Sequence, residues 1–168
     1  MQEVTHHYIT EELVNNFGDD IRNVSEPYGF LSIEVSREKN LDVLRFLFNH
    51  AVIKMQFVTD LCGMHEPQNK DREMVVIYHL HDLVNNVRLR IRCYMPENDP
   101  AIASATPIFS AANWMERETY DFFGINFTGH PKLKRILNVD EMNYFPMRRE
   151  YPLEDQTRTD KDDRYFGR

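Results

Sequence analysis

The sequence predicts an α+β domain, a ferredoxin-like antiparallel or mixed sheet with helices on one face, followed by an extended C-terminal arm. Three observations predict it. Segments with period-two alternation flank one with helical spacing, in the order strand, helix, strand, strand. A second helical segment follows the strands. The last residues then change to a dense mixture of both charges. The expected division is a domain over 1–146 and an arm over 147–168.

Taken in order, Thr10 is expected to cap a first helix over 11–17, with acidic residues in its first turn and Gly18 past its end. Residues 21–24 read as a short strand, and Pro27-Tyr28-Gly29 as a turn. In 30–35, Leu31, Ile33 and Val35 alternate with Ser32 and Glu34, which predicts a half-buried strand. A helix over 38–49 follows, with Leu41, Leu44, Leu47 and Phe48 on one stripe. Strands are expected over 54–61, 73–80 and 88–94. In the last, Leu89, Ile91 and Cys93 alternate with Arg88, Arg90 and Arg92. Residues 96–100 read as a loop. Thr106-Pro107 pairs a capping residue with proline at the first helical position, which predicts a long helix to Phe123 stopped by Gly124. Residues 125–128 look extended, and Gly129-His130-Pro131 breaks them.

Composition excludes several functions. The chain has 168 residues, 42% of them apolar, which suits one domain with a real core. A formal charge of −7, without a basic block, argues against nucleic acid as a partner. The N-terminus lacks the basic and apolar regions of a signal peptide, and apolar runs such as 74–78 are too short to cross a bilayer, so no direct membrane insertion is expected. Cys62 and Cys93 form no CxxC and no zinc-spaced cluster, and two thiols cannot hold an iron–sulfur cluster. Both read as reduced, buried thiols. His79 and His81 share one strand face, and His6-His7 forms a terminal pair. Two ligands are too few for a closed metal site, so no metal site is expected.

The glycines of Gly124-Ile-Asn-Phe-Thr-Gly129 imitate a phosphate-binding loop, but His130 and Pro131 stand where lysine and a hydroxyl residue are required. Glu116, Glu118, Asp121 and His130 lack a nucleophile, metal set or phosphate cradle, so no catalytic residue and no cofactor-binding residue is expected.

The informative segment is 113–137, NWMERETYDFFGINFTGHPKLKRIL. On a helix, Trp114, Arg117 and Asp121 share one side, with Arg117 and Asp121 at ion-pair spacing. Glu116 and Tyr120 share a second side, and Glu118 lies on a third. Either both faces are covered, one by a partner, or the aromatics of a surface helix reach back to the core. The arm over 147–168 carries six acidic and six basic residues. It either stays disordered or folds on a partner, and the interleaved aromatics favour the second.

This segment resembles the signature of the "30 kDa" (C) family of NADH:quinone oxidoreductase subunits, from respiratory complex I. The matching residues are Glu116-Arg117-Glu118, Tyr120-Asp121, Phe123-Gly124-Ile125, Phe127, Gly129-His130-Pro131, Leu133 and Arg135-Ile136-Leu137. Ala112-Asn113-Trp114, Tyr78-His79-Leu80 and the stretch from Met147 to Leu153 agree as well, with Arg149-Glu150 in place of the commoner Lys-Asp. The resemblance covers about residues 30–153. It implies a non-catalytic assembly subunit in the quinone-reducing module of the peripheral arm, packed on the 49 kDa (D) subunit. FMN, iron–sulfur clusters and quinone would sit on other subunits of this proton-translocating complex. The chain would lie peripherally on the cytoplasmic side of the bacterial inner membrane, held by its partners. The expected partner-facing residues are Trp114, Glu116, Arg117, Glu118, Tyr120, Asp121, Gly124, Phe127, Gly129, His130, Pro131 and Arg135. In the arm they are Arg148, Arg149, Tyr151, Pro152, Leu153, Tyr165 and Phe166. The rival expectation is the equivalent subunit of a related membrane-bound hydrogenase or other quinone-linked dehydrogenase.

Overall fold

The computed structural model describes residues 4–152. Helix α1 (His6–Phe17) leads into strand β1 (Ile21–Ser25), then β2 (Leu31–Val35), helix α2 (Asn40–Asn49) and strands β3 (Phe57–His65), β4 (Met74–Asp82) and β5 (Val87–Met95). A short strand β6 (Ala101–Ala103), helix α3 (Ala112–Phe123) and strand β7 (Asn126–Thr128) complete it. The main sheet is mixed, in the order β1-β2-β5-β4-β3. β2 and β5 run parallel, and every other neighbouring pair in that sheet is antiparallel.

The alternation in the sequence becomes the two faces of this sheet. Leu31, Ile33 and Val35, Met74, Val76, Tyr78 and Leu80, and Leu89, Ile91, Cys93 and Met95 are buried on one face. The helices cover that face. α2 supplies Val43, Leu44 and Leu47, and its Asn40 amide donates to Tyr78 Oη at 3.2 Å. α3 crosses β3 where Gly63 leaves room for Thr119 and Phe123. Arg88, Arg90, Arg92, His79 and His81 fall on the opposite face.

Several expectations are corrected. The first helix starts earlier and is capped by Thr5, whose hydroxyl accepts from Tyr8 N–H, while Thr10 lies inside it and bonds back to His6 O. Val4 and Ile9, both buried, occupy the staple positions that set this start. β2 is buried on both faces, because Glu34 is engaged by Arg72 at 2.6 Å and by Asn23 at 2.7 Å. Cys93 is buried but Cys62 only partly so, and they sit on opposite faces. Burial, with Asp60 nearby, pushes the Cys62 thiol up to about 11. Thr106-Pro107 does not open the second helix. Thr106 turns its hydroxyl to Ser104 at 2.8 Å, a tight turn closes on Ala105 O, and α3 begins only at Ala112. β6, which carries no sequence signal, pairs in parallel with β7 and sets Ile102 beside Phe127.

A side chain at Gly63 would bring its Cβ within 2.7 Å of Phe123 and 2.8 Å of Thr119. Gly63→Val is therefore expected to destabilise the domain by about 1–3 kcal/mol through overpacking, read as a lower urea midpoint.

Candidate functional site around α3 and the segment that follows it

α3 buries Ala112, Glu116 and Thr119 along one stripe, with Phe123 packed at its end. Gly124 stops the helix in the left-handed conformation, φ 76°, and its N–H returns to Tyr120 O at 2.8 Å. A Cβ at Gly124 would collide with Phe145 at 2.5 Å, so glycine is required by space as well as by backbone. The Phe145 ring meets Tyr120 edge-on, and the guanidinium carbons of Arg135 and Arg148 each stand 5.1 Å from its centre.

Asp121 sits outside the helix's buried stripe, yet it is 0% exposed. Its carboxylate accepts from the backbone N–H of Ile136 at 3.0 Å, Leu137 at 2.8 Å and Asn138 at 2.9 Å. Arg135 Nη1 donates to it at 2.7 Å and the Asn138 amide at 3.1 Å. Burial pushes this carboxyl's pKa upward. The N–H groups of Asn138 and Leu137, then Arg135 and Ile136, outweigh that and hold it well below the usual carboxylate range. Arg135 also donates to the carbonyls of Asp121, Met142 and Tyr144.

The expected Arg117–Asp121 pair is not formed. Arg117 donates to the carbonyls of Lys134 at 3.1 Å and Arg135 at 2.9 Å, and its guanidinium lies 5.4 Å from the Trp114 ring centre. An exposed helix pair contributes only about 0.2–0.5 kcal/mol, whereas buried backbone groups must find partners, so the loop takes both residues.

Glu116 points the other way. It is fully buried, accepting from Ser104 Oγ and from Ala105 N–H, each at 2.6 Å. Burial pushes its pKa up to about 7, opposed by those two donors. His130 Nδ1 accepts from Lys132 N–H, which places its proton on Nε2, 3.1 Å from Asn113 O. Glu118 is exposed. The four groups considered for acid–base work therefore serve separate places, each of the buried ones bonded to this chain's own backbone.

Among the remaining expected residues, Phe127 is buried in β7, Gly129 turns with φ 83° and Pro131 is exposed. Trp114 is 63% exposed. Arg148 is partly buried and donates to Phe123 O at 2.8 Å and Glu97 at 3.0 Å. Arg149 is exposed, with its N–H on His65. The Tyr151 ring lies 4.9 Å from that of Tyr144, and Pro152 is exposed. Leu153, Tyr165 and Phe166 lie outside the described residues. Leu137, Val139, Tyr144 and Met147 are exposed along the same segment. Sequence reasoning misses them and Phe145, because 133–147 carries no periodicity to read.

A family model described as respiratory-chain NADH dehydrogenase, 30 kDa subunit, matches residues 33–157. A Rhizobium meliloti NADH-quinone oxidoreductase C-type subunit, the second of that organism's two, is 36% identical over 84% of this chain and 76% of its own length. The C-type subunit of the Geobacter sulfurreducens enzyme is 34% identical over 85% of this chain and 87% of its own. Among solved structures, the trypsin-resistant fragment of Nqo5 superposes with a TM-score of 0.64 at 27% identity, covering 77% of this chain and all of that one. A chain of an archaeal membrane-bound sulfane sulfur reductase superposes with a TM-score of 0.73 over 88% of this chain and 85% of its own. At 20% identity that likeness concerns the fold alone.

Asp121→Ala should cost about 3–5 kcal/mol in unfolding free energy, since it strands a buried guanidinium and three N–H groups; chemical denaturation reads this, with faster proteolysis within 133–146. The Glu116 pKa is raised on folding, so its stabilising contribution is complete below the unfolded value near 4.5 and is lost as pH rises through about 7. Glu116→Gln is expected to remove about 3 kcal/mol of the stability decline between pH 5 and pH 8, seen by comparing urea midpoints at both.

Proposed function

This chain belongs to the family of the 30 kDa subunit of the respiratory-chain NADH dehydrogenase, and from that premise we propose that it is a structural subunit of the enzyme's peripheral arm with no chemistry of its own. One observation carries the reading. The buried charged residues of the signature are bonded within the chain, whereas Trp114, Leu137, Val139, Tyr144, Met147 and Tyr151 are left exposed on α3 and the segment it organises. Charge builds the surface, and apolar groups are offered on it.

That surface receives the 49 kDa (D) subunit in the quinone-reducing module, and the chain beyond Tyr151 continues onto the same partner. FMN, iron–sulfur clusters and quinone are carried by other subunits, and the assembly passes electrons from NADH to quinone while translocating protons. No described helix is long and apolar enough to cross a membrane. Attachment on the cytoplasmic side is peripheral, through partners.

Affinity purification of the tagged chain from gently solubilised membranes tests this. Co-purification of flavin- and cluster-binding subunits with NADH–quinone activity is the expected result. Hydrogenase-type partners would move the chain to the related complex, and recovery of a lone protein would overturn the assembly role. Trp114→Asp with Leu137→Asp should sharply reduce recovered complex, while thermal unfolding of the isolated chain stays near the parent's. Normal assembly of that variant would reject the assigned surface.

A further inference from the structure

His65 ends β3 and is only 4% exposed. Nδ1 accepts the Arg149 N–H at 3.0 Å, so the single proton of the neutral ring sits on Nε2. Nε2 is buried and has no hydrogen-bond partner among the described residues. Glu97 Oε2 lies 3.9 Å from it, outside hydrogen-bond reach, and Glu150 Oε2 lies 3.5 Å from Nδ1. One donor atom from each of His65, Glu97 and Glu150 falls within 4.8 Å of the others. Glu73 contributes a further negative charge near the ring and accepts from Glu97 N–H. Arg148 stands 3.0 Å from Glu97 and 4.0 Å from Glu150, so three carboxylates face one guanidinium.

We propose that His65, Glu97 and Glu150 form a binding site for one divalent cation of the zinc type. An imidazole with carboxylate oxygens suits that ion, and bonds of about 2.0–2.2 Å place two of its ligands roughly 3–4 Å apart, the spacing found between His65 Nε2 and Glu97. The ion takes the Nε2 lone pair, and the ring proton moves to Nδ1, so no proton leaves the ring. Nδ1 then donates toward Glu150 Oε2 and ceases to accept from Arg149. Binding is thereby linked to the seating of residues 149–150, where the chain leaves the domain. The ligands come from three distant segments, so the site exists only in the folded chain and the ion stabilises it by mass action.

The test is calorimetric titration of the full chain with Zn²⁺ in a non-chelating buffer. Expected are one ion per chain with a Kd on the order of 1–10 μM and a raised Tm with excess metal. Glu97→Gln and His65→Asn should each weaken binding ~10-fold or more. His81→Asn, whose ring meets only the Asn86 amide among the described residues, should bind as the parent does. Glu97 is not fully buried, so Glu97→Gln stays readable even if His65→Asn fails to fold. Binding weaker than ~100 μM, or unchanged affinity in Glu97→Gln, would overturn the site. Loss of binding on changing His6 and His7 instead would do the same, by assigning the ion to the terminal pair.

Discussion

The buried carboxylate of Asp121 is the constraint on which the C-terminal third depends. Residues 131–152 contain no helix or strand, so their backbone groups lack the partners that a ladder provides. Asp121 accepts three consecutive N–H groups, while Arg117, Arg135 and Arg148 donate to the carbonyls of residues 121, 123, 134, 135, 142 and 144. Charged side chains thus do for this segment what hydrogen-bonded neighbours do for a strand. Charge-assisted bonds are the stronger kind, which lets four side chains hold an irregular segment against one helix.

Glu116 plays the matching part on the opposite side of α3. By engaging Ser104 and Ala105 N–H it ties the turn before the helix to the helix itself, and β6 paired with β7 brings that turn into place. Phe145 then fills the space over Gly124, between two guanidinium groups. Helix, turn and following segment form one unit, fixed at both ends and wedged by an aromatic ring. A unit of this kind presents a defined surface at little conformational cost on association, which fits a subunit that acts through its contacts.

Much of the fold was legible. The alternation in β2 and β5 and the stripe in α2 placed those elements to within a few residues, and Gly124 marked the end of α3. Local signals failed where a tertiary bond outcompeted them. Thr106-Pro107 has the chemistry of a helix start, but Ser104 takes the threonine hydroxyl and Glu116 pins the adjoining residue. Arg117 and Asp121 have ion-pair spacing, but the unpartnered backbone of 134–138 recruits both. β6 is too short at three residues to show any period. In the candidate site, the signature residues were identifiable one by one, while Phe145, Leu137 and Tyr144 lay in a stretch with no pattern. The trio His65, Glu97 and Glu150 could not be seen either, since separations of 32 and 53 residues resemble no ligand spacing.

By itself, the sequence determined the period of each long element, the α+β class and the signature that marks the family, because periodicity and residue order are local properties of the chain. Only the tertiary structure decided which partner each charged residue takes, which apolar groups stay exposed, and which distant donors meet. Those outcomes follow from burial, which makes an unsatisfied polar group costly, and burial is set by the whole fold.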